Sequence, residues 1–294
     1  MTRDFYELSV RLKQGDEAAL QRIKAFLTTI GVKQEQITEF VLGDQFSVVI
    51  FERSLKRARR FQSDLRVLGI SREALSIRRL RAQDWVNLWK KHFKAFKLTK
   101  TLRVIPAWEK DTYADKNTEQ RIFIDTQLAF GTGLHETTQQ MAGLVERCAG
   151  KYRSFLDIGT GTGILSLVAL KNGAETVRAI DIDQGAVTIA RQNFINNGYP
   201  TEGIAVLDFA KMRSRKQYDF VAANLITHEL IRLKKKLVAL TKRDHYLAIS
   251  GIAAEHRVRV KNAFKELPLR CLKVAQKNQW IAILYKKIGW PKDT

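Results

Sequence analysis

Apolar and polar residues change their rhythm part-way along this 294-residue chain. Tyr6-Glu-Leu-Ser-Val-Arg-Leu12 alternates, the period of a half-buried strand. Residues 18–30 carry apolar side chains at helical spacing. Asp16 can cap that helix and Gly31 ends it. Two strand-like runs, 36–42 and 46–51, flank Gly43-Asp44, a hairpin signal. Ser54 opens a basic helix reaching about Leu68, which Gly69 stops, and 75–80 alternates again. The order βαββαβ predicts a small α+β, ferredoxin-like unit over residues 1–82. It holds no catalytic constellation, so it is expected to recognise or position a substrate, with a purely structural role as the alternative.

Residues 83–126 read as a linker helix and connecting strands. The amphipathic stretch from Gln83 carries Trp85 and Trp89, large aromatics of the kind that anchor packing between domains. Residues 103–108 are strand-like, and 110–119 form a polar loop. From 127 to 294 helices and strands alternate, which predicts an α/β domain on a parallel sheet. Helices are expected over 137–148, 163–172 and 185–196. Strands are expected over 154–158, 177–182, 203–207, 220–223, 247–250 and 280–285.

Chemistry concentrates where the first of these strands meets its helix, in Phe155-Leu-Asp157-Ile-Gly159-Thr-Gly161-Thr-Gly163. Glycines at every second position allow a tight turn and close approach of backbone to a ligand. The following helix is expected to aim its unpaired N–H groups at that ligand. The spacing is not the dinucleotide fingerprint, because Ile164 and Ser166 stand where a third glycine would fall. The pattern Asp-x-Gly-x-Gly-x-Gly is instead similar to the first motif of S-adenosylmethionine-dependent methyltransferases.

Asp181 follows Gly159 by 22 residues at the end of the next strand. An ionised carboxylate there can accept both ribose hydroxyls of a nucleoside. Asp183 competes for that role. Asp208, after the third strand, is a candidate for the adenine amino group. Asn224 ends the fourth strand, at the edge where open α/β sheets hold ligands, and its amide can hold an incoming amine. The DPPY or NPPY motif of amino-group methylation on bases is absent, since Leu225, Ile226 and Thr227 follow. Upstream, Phe130-Gly-Thr-Gly133 leads through His135 to Thr137-Thr138 at a helix N-terminus, a setting that favours a carboxylate. Thr138 is the candidate contact. His135 is a capping or packing residue, or a base.

Charge changes the picture in one region. The net charge is +21, yet residues 127–231 hold ten basic and ten acidic side chains while 232–294 hold sixteen basic and four acidic. That +12 segment is either a solvated surface or a surface for polyanions such as nucleic acid. Two cysteines without metal-ligand spacing give neither a disulfide framework nor a metal site. No apolar run reaches the roughly 18 residues of a membrane span. Met1-Thr-Arg-Asp leads into a strand pattern rather than a signal peptide. A cytoplasmic protein is the expectation.

Several motifs together resemble the methyltransferase family of ribosomal large-subunit protein eleven. They are Asp84-Trp85 to Phe93, Phe130-Gly-Thr-Gly-x-His135-x-Thr-Thr138, Asp157 to Gly163, Ala179-Ile-Asp-Ile-Asp183, Ala223-Asn-Leu-Ile226, Ser250-Gly-Ile252 and Gln279-Trp-Ile-Ala-Ile-Leu284. Glu136 departs from the proline common at that place. The resemblance implies a Rossmann-like class I methyltransferase domain behind a substrate-recognition domain. It also implies S-adenosylmethionine as cofactor and methyl transfer to lysine ε-amines or the N-terminal α-amine of that ribosomal protein. Carried onto matching positions, it implies cofactor contacts at Thr138, Gly159, Asp181 and Asn224, with Asn224 also facing the substrate amine. The motif itself adds Asp157 and Gly161, and the strand ends add Asp208. Three rival functions stand beside this one. They are methylation of ribosomal RNA, methylation of lysines on another protein, and noncatalytic cofactor binding by a ribosome-assembly factor.

Overall fold

Leu8 and Val10 alternate with polar neighbours on β1 (Phe5–Lys13) and face the first hydrophobic core. The computed structural model describes residues 5–13, 16–32, 37–42, 45–80, 93–113, 120–125 and 133–289. After β1 come α1 (Glu17–Thr29), β2 (Ile37–Leu42), β3 (Gln45–Glu52), α2 (Leu55–Val67) and β4 (Leu75–Leu80). All neighbouring strands are antiparallel, in the order β2-β3-β1-β4. Ile23 and Leu27 of α1 and Phe61 and Leu65 of α2 close over Leu8, Val10, Val48 and Ile50. Asp16 accepts the Ala19 N–H at 3.0 Å and Ser54 the Arg57 N–H at 3.4 Å, so both helices begin at the caps their sequences supply. The Gly43-Asp44 turn and the stretch holding Asp84, Trp85 and Trp89 lie outside the described residues.

The chain divides into two compact units, Met1–Lys94 and Ala95–Thr294. The second opens with a small sheet of β5 (Phe96–Lys97), β6 (Leu102–Pro106) and β7 (Gln120–Ile124). β5 runs antiparallel and β7 parallel to β6. The strand expected over 103–108 stops at Pro106, and Trp108 sits in a single 3-10 turn, Ala107–Glu109.

The larger sheet alternates with helices, beginning with α3 (Glu136–Arg147), β8 (Ser154–Ile158), α4 (Ile164–Lys171) and β9 (Thr176–Asp181). It continues with α5 (Gln184–Asn196), β10 (Ile204–Val206), β11 (Tyr218–Asn224), α6 (Thr227–Leu240) and β12 (Thr241–Ala253). α7 (Arg257–Phe264), β13 (Leu269–Lys277) and β14 (Trp280–Lys287) complete it. The strand order is β10-β9-β8-β11-β12-β14-β13. The first five run parallel, β14 is antiparallel to β12, and β13 is antiparallel to β14. This is a Rossmann-like sheet with an antiparallel hairpin at one edge. β8 and β11 flank the point where strand order reverses, so ligands of such a sheet gather at their carboxyl ends.

Several elements of this unit are absent from the sequence expectation, α6, α7 and β13 among them. α6 buries Leu230, Leu233, Leu237 and Leu240, a helical stripe that its basic run, Arg232 and Lys234 to Lys236, obscures. β13 is almost wholly exposed and has no apolar face to announce it. Its pairing with β14 defines it.

Candidate active site

The turn after β8 is built around a buried carboxylate. Asp157 is fully enclosed. Its Oδ2 accepts the Thr160 hydroxyl at 2.8 Å and the Ser166 hydroxyl at 2.7 Å. The Ser166 N–H of the first turn of α4 also donates to it. Burial pushes this carboxyl up to about 6, aided by the charge of Asp181 and opposed by the bonds from Ser166 and Thr160. Asp157 therefore braces the turn by tying Thr160 to the first turn of α4 at Ser166.

The loop N–H groups of residues 159–161 and 163 bond within the protein. Those of Gly159 and Thr160 donate to the Ile180 carbonyl at 2.9 and 3.0 Å, and that of Gly163 to the Thr160 carbonyl at 2.9 Å. The Gly161 N–H donates to Asp181 Oδ2 at 2.9 Å. Three left-handed residues, with φ of 71°, 55° and 81° at Gly159, Gly161 and Gly163, let so short a segment close on itself. A Cβ on Gly159 would lie 2.8 Å from Leu225 Cδ2, so the loop and the segment after β11 are in close contact.

Asp181 ends β9 beside this loop. Its Oδ1 accepts the Asp183 N–H at 3.0 Å while Oδ2 holds Gly161. Two oxygens offer about four acceptor sites, so the carboxylate keeps capacity for two hydroxyl donors. Asp183 accepts the Gly185 N–H at 2.8 Å and caps α5. Asp208 lies two positions beyond Val206, the register partner of Asp181. Its Oδ1 caps a 3-10 turn through the Ala210 N–H at 2.9 Å. Asp181, Asp183 and Asp208 thus share one edge, each fixed by a backbone donor.

Asn224 reaches the same edge from β11 and meets the first turn of α3. Its Nδ2 donates to Thr137 Oγ1 at 3.3 Å, and Thr137 Oγ1 lies 2.8 Å from His135 Nδ1. That nitrogen also accepts the Thr137 N–H at 3.3 Å, so His135 is the N-cap. With Nδ1 an acceptor, the Thr137 hydroxyl donates to it and accepts from Asn224. The chain of donors leaves the Asn224 carbonyl oxygen as the acceptor end. Thr138, next along, is buried, and its hydroxyl has no partner among the described residues. Phe130, Gly131 and Thr132 lie outside those residues.

Three side chains that sequence reasoning missed hold this frame. The fully buried Asn193 of α5 donates to the Thr162 and Asp125 carbonyls, each at 2.9 Å, and accepts the Asp125 N–H at 2.7 Å. Asn197 does the same for Phe123, accepting its N–H at 2.9 Å and donating to its carbonyl at 2.7 Å. Gln140 of α3 donates to the Trp280 carbonyl at 2.9 Å. Asn193 had a legible signal, an amide on the buried stripe of Ala186, Val187, Ile189, Ala190 and Phe194.

The family model of ribosomal protein L11 methyltransferase (PrmA) matches residues 16–288. The chain belongs to the ribosomal protein L11 methyltransferase family. Relatives under that family name include one from Ruminiclostridium cellulolyticum, 36% identical over 207 residues, and one from Bacillus pumilus, 30% identical over 220. The first alignment covers 69% of this chain and 65% of the relative, and the second 75% and 70%. The chain therefore spans just under two thirds of the first relative's length. The crystal structure of a ribosomal protein L11 methylase from Lactobacillus delbrueckii subsp. bulgaricus superposes with a TM-score of 0.61 at 28% identity. It covers 67% of this chain and 100% of that one.

Proposed function

We propose that this chain is an S-adenosylmethionine-dependent methyltransferase acting on lysine ε-amines, the N-terminal α-amine, or both, of ribosomal protein L11. Membership of the family supports the reaction. The observation that carries it is the convergence of Asp181, Asn224 and Thr138 on the carboxyl edge of the sheet, beside a glycine turn tied to the Ile180 carbonyl and to Asp181 itself. The residues present fit the cofactor. Asp181 has acceptor capacity for ribose hydroxyls, the enclosed Thr138 hydroxyl lacks a partner among the described residues, and Asp208 is held two positions beyond the strand pair.

When bound, S-adenosylmethionine supplies an electrophilic methyl group on a sulfonium centre. The chain's own part is positioning. Asn224 Oδ1 accepts an N–H of the incoming amine, while Thr137, fixed by His135, holds the amide the right way round. A lysine amine of pKa about 10.4 is mostly protonated at neutral pH. Exclusion of water at the strand edge favours its neutral form. Alignment of the reactants then supplies much of the rate.

Residues 1–82 are the substrate-recognition domain, 83–126 the linker and 127–294 the catalytic domain in this reading. The enzyme works in the cytoplasm, where its ribosomal substrate is made. No described helix is long and apolar enough to cross a membrane. The test is incubation with tritiated S-adenosylmethionine and purified L11, followed by mass spectrometry. Label on L11 amines is the expected result, and label on ribosomal RNA or on another protein alone would replace L11 as the substrate.

Contact with ribosomal RNA is a second reading, favoured by exposed Arg270, Lys273 and Lys277 on the edge strand β13. Such contact weakens with salt by roughly 0.7–0.9 in log–log slope per phosphate neutralised. Fluorescence titration of a ribosomal RNA fragment checks it, and no binding near 0.1 M salt would remove it.

A further inference from the structure

The turn between β13 and β14 grips the N-terminal end of α3 at three points. Lys277 Nζ donates to Gln139 Oε1 at 2.5 Å. Asn278 Nδ2 donates to Glu136 Oε1 at 3.0 Å. The Trp280 carbonyl accepts Gln140 Nε2 at 2.9 Å. Positions 136, 139 and 140 are spaced by three and four, so they lie on one side of the helix. The Trp280 ring also meets His135 edge-on, with centroids 5.1 Å apart. Thr137, within the gripped turn, reaches across to Asn224. The first turn of α3 is thus held between the hairpin and β11.

We propose that the hairpin turn Lys277–Trp280 is a positioning element for the reaction, and that Asn278 and Glu136 form its latch. The proposal rests on the reading of Asn224 and Thr138 as reaction-site groups. It goes beyond that reading by assigning work to residues of an edge hairpin far along the chain from either. His135 fixes the Thr137 hydroxyl, the Thr137 hydroxyl fixes the Asn224 amide, and the hairpin fixes the helix turn that carries His135. Loosening the latch lets that turn shift, and displacements of about 1 Å are enough to reduce rate up to 100-fold. Asn278 itself has a φ of 51°, a left-handed conformation that aspartate also tolerates.

The test is a donor and acceptor exchange. Asn278→Asp sets a carboxylate against Glu136, and adding Glu136→Gln restores a hydrogen bond with its direction reversed. Asn278→Asp is expected to lower kcat about tenfold and raise KM for S-adenosylmethionine, with KM for L11 and the melting temperature little changed. The double variant Glu136→Gln, Asn278→Asp is expected to recover both constants. Unchanged kcat and KM in the single variant, or a double variant as impaired as the single, would overturn the proposal. Backbone hydrogen exchange at Thr138, Gln139 and Gln140 reads the latch without any ligand. It should quicken in the single variant and return in the double. If the wild-type chain transfers no methyl group to L11, the functional reading fails on its own. Exchange that then stays equal in all three proteins would overturn the latch as well.

Discussion

Asn224 decides between a site that positions an amine and an ordinary strand end. Its Nδ2 is engaged by Thr137, so the amide presents its carbonyl oxygen in a defined direction. Asn224→Ala is expected to reduce kcat on L11 about 100-fold, the scale of lost alignment, while circular dichroism and melting temperature stay near wild type. Near-normal turnover would remove Asn224 from the mechanism. Asp157 makes a different prediction. Its folded carboxyl titrates near 6 against an ordinary 3.8, so the folded state binds more protons between those values. The contribution of Asp157 to stability is therefore greatest below about pH 4 and declines as pH rises to about 6. Urea unfolding of wild type and Asp157→Asn across that range measures it. The difference in unfolding free energy should move against the wild type with rising pH, and a difference that is flat or moves the other way would contradict the raised value.

At the scale of elements, the contact between β12 and the segment after β11 depends on Gly251. Its φ is 86°, and a Cβ there would stand 2.2 Å from the Leu225 carbonyl oxygen and 2.7 Å from its carbonyl carbon. Backbone cannot move aside as a side-chain tip can. Gly69 offers the control, with φ of 89° and nothing within 4 Å of its would-be Cβ. Gly69→Ala should destabilise by the left-handed strain alone, about 1–2 kcal/mol. Gly251→Ala should destabilise by clearly more and also impair transfer, because Leu225 adjoins Asn224 and packs on Gly159. Equal losses in the two variants, measured by denaturant unfolding, would show that the close approach is relieved without strain. Element boundaries follow from the same local physics. Helices such as α1 and α2 announce themselves by caps and stripes, and β8 by its apolar run. β5, β7 and β13 do not. The first two are short partners of β6, and the third is a basic edge strand whose charges and exposure suit the edge of a sheet.

For the whole molecule, the α/β character of the second unit was legible because parallel strands buried on both faces read as apolar runs. The antiparallel hairpin that ends the sheet was half legible, through Trp280 to Tyr285. Of the candidate site, the placement of the glycine turn, Asp181, Asn224 and Thr138 at strand or helix ends was legible, because each brings unusual chemistry to such a place. What escaped were contacts between segments distant in sequence. Asn193 joins the glycine turn to β7, Thr137 joins α3 to β11, and Asn278 joins the last hairpin to Glu136. No local pattern encodes such pairings, although an amide on an apolar stripe is a signal that one exists. Asp157 is a candidate cofactor contact by its place in the motif, but its complete burial and its bonds to Thr160 and Ser166, which brace the turn, follow only from three-dimensional packing.

In the proposed function, the strand edge around Asp181 receives the nucleoside end of S-adenosylmethionine. Calorimetric titration with S-adenosylhomocysteine, run on wild type and on Asp181→Ala, tests it most directly. Saturable binding by the wild type is expected, with at least about tenfold weaker binding by the variant, the equivalent of about 1.4 kcal/mol. No heat from a folded wild type, or equal affinity in the two proteins, would contradict it.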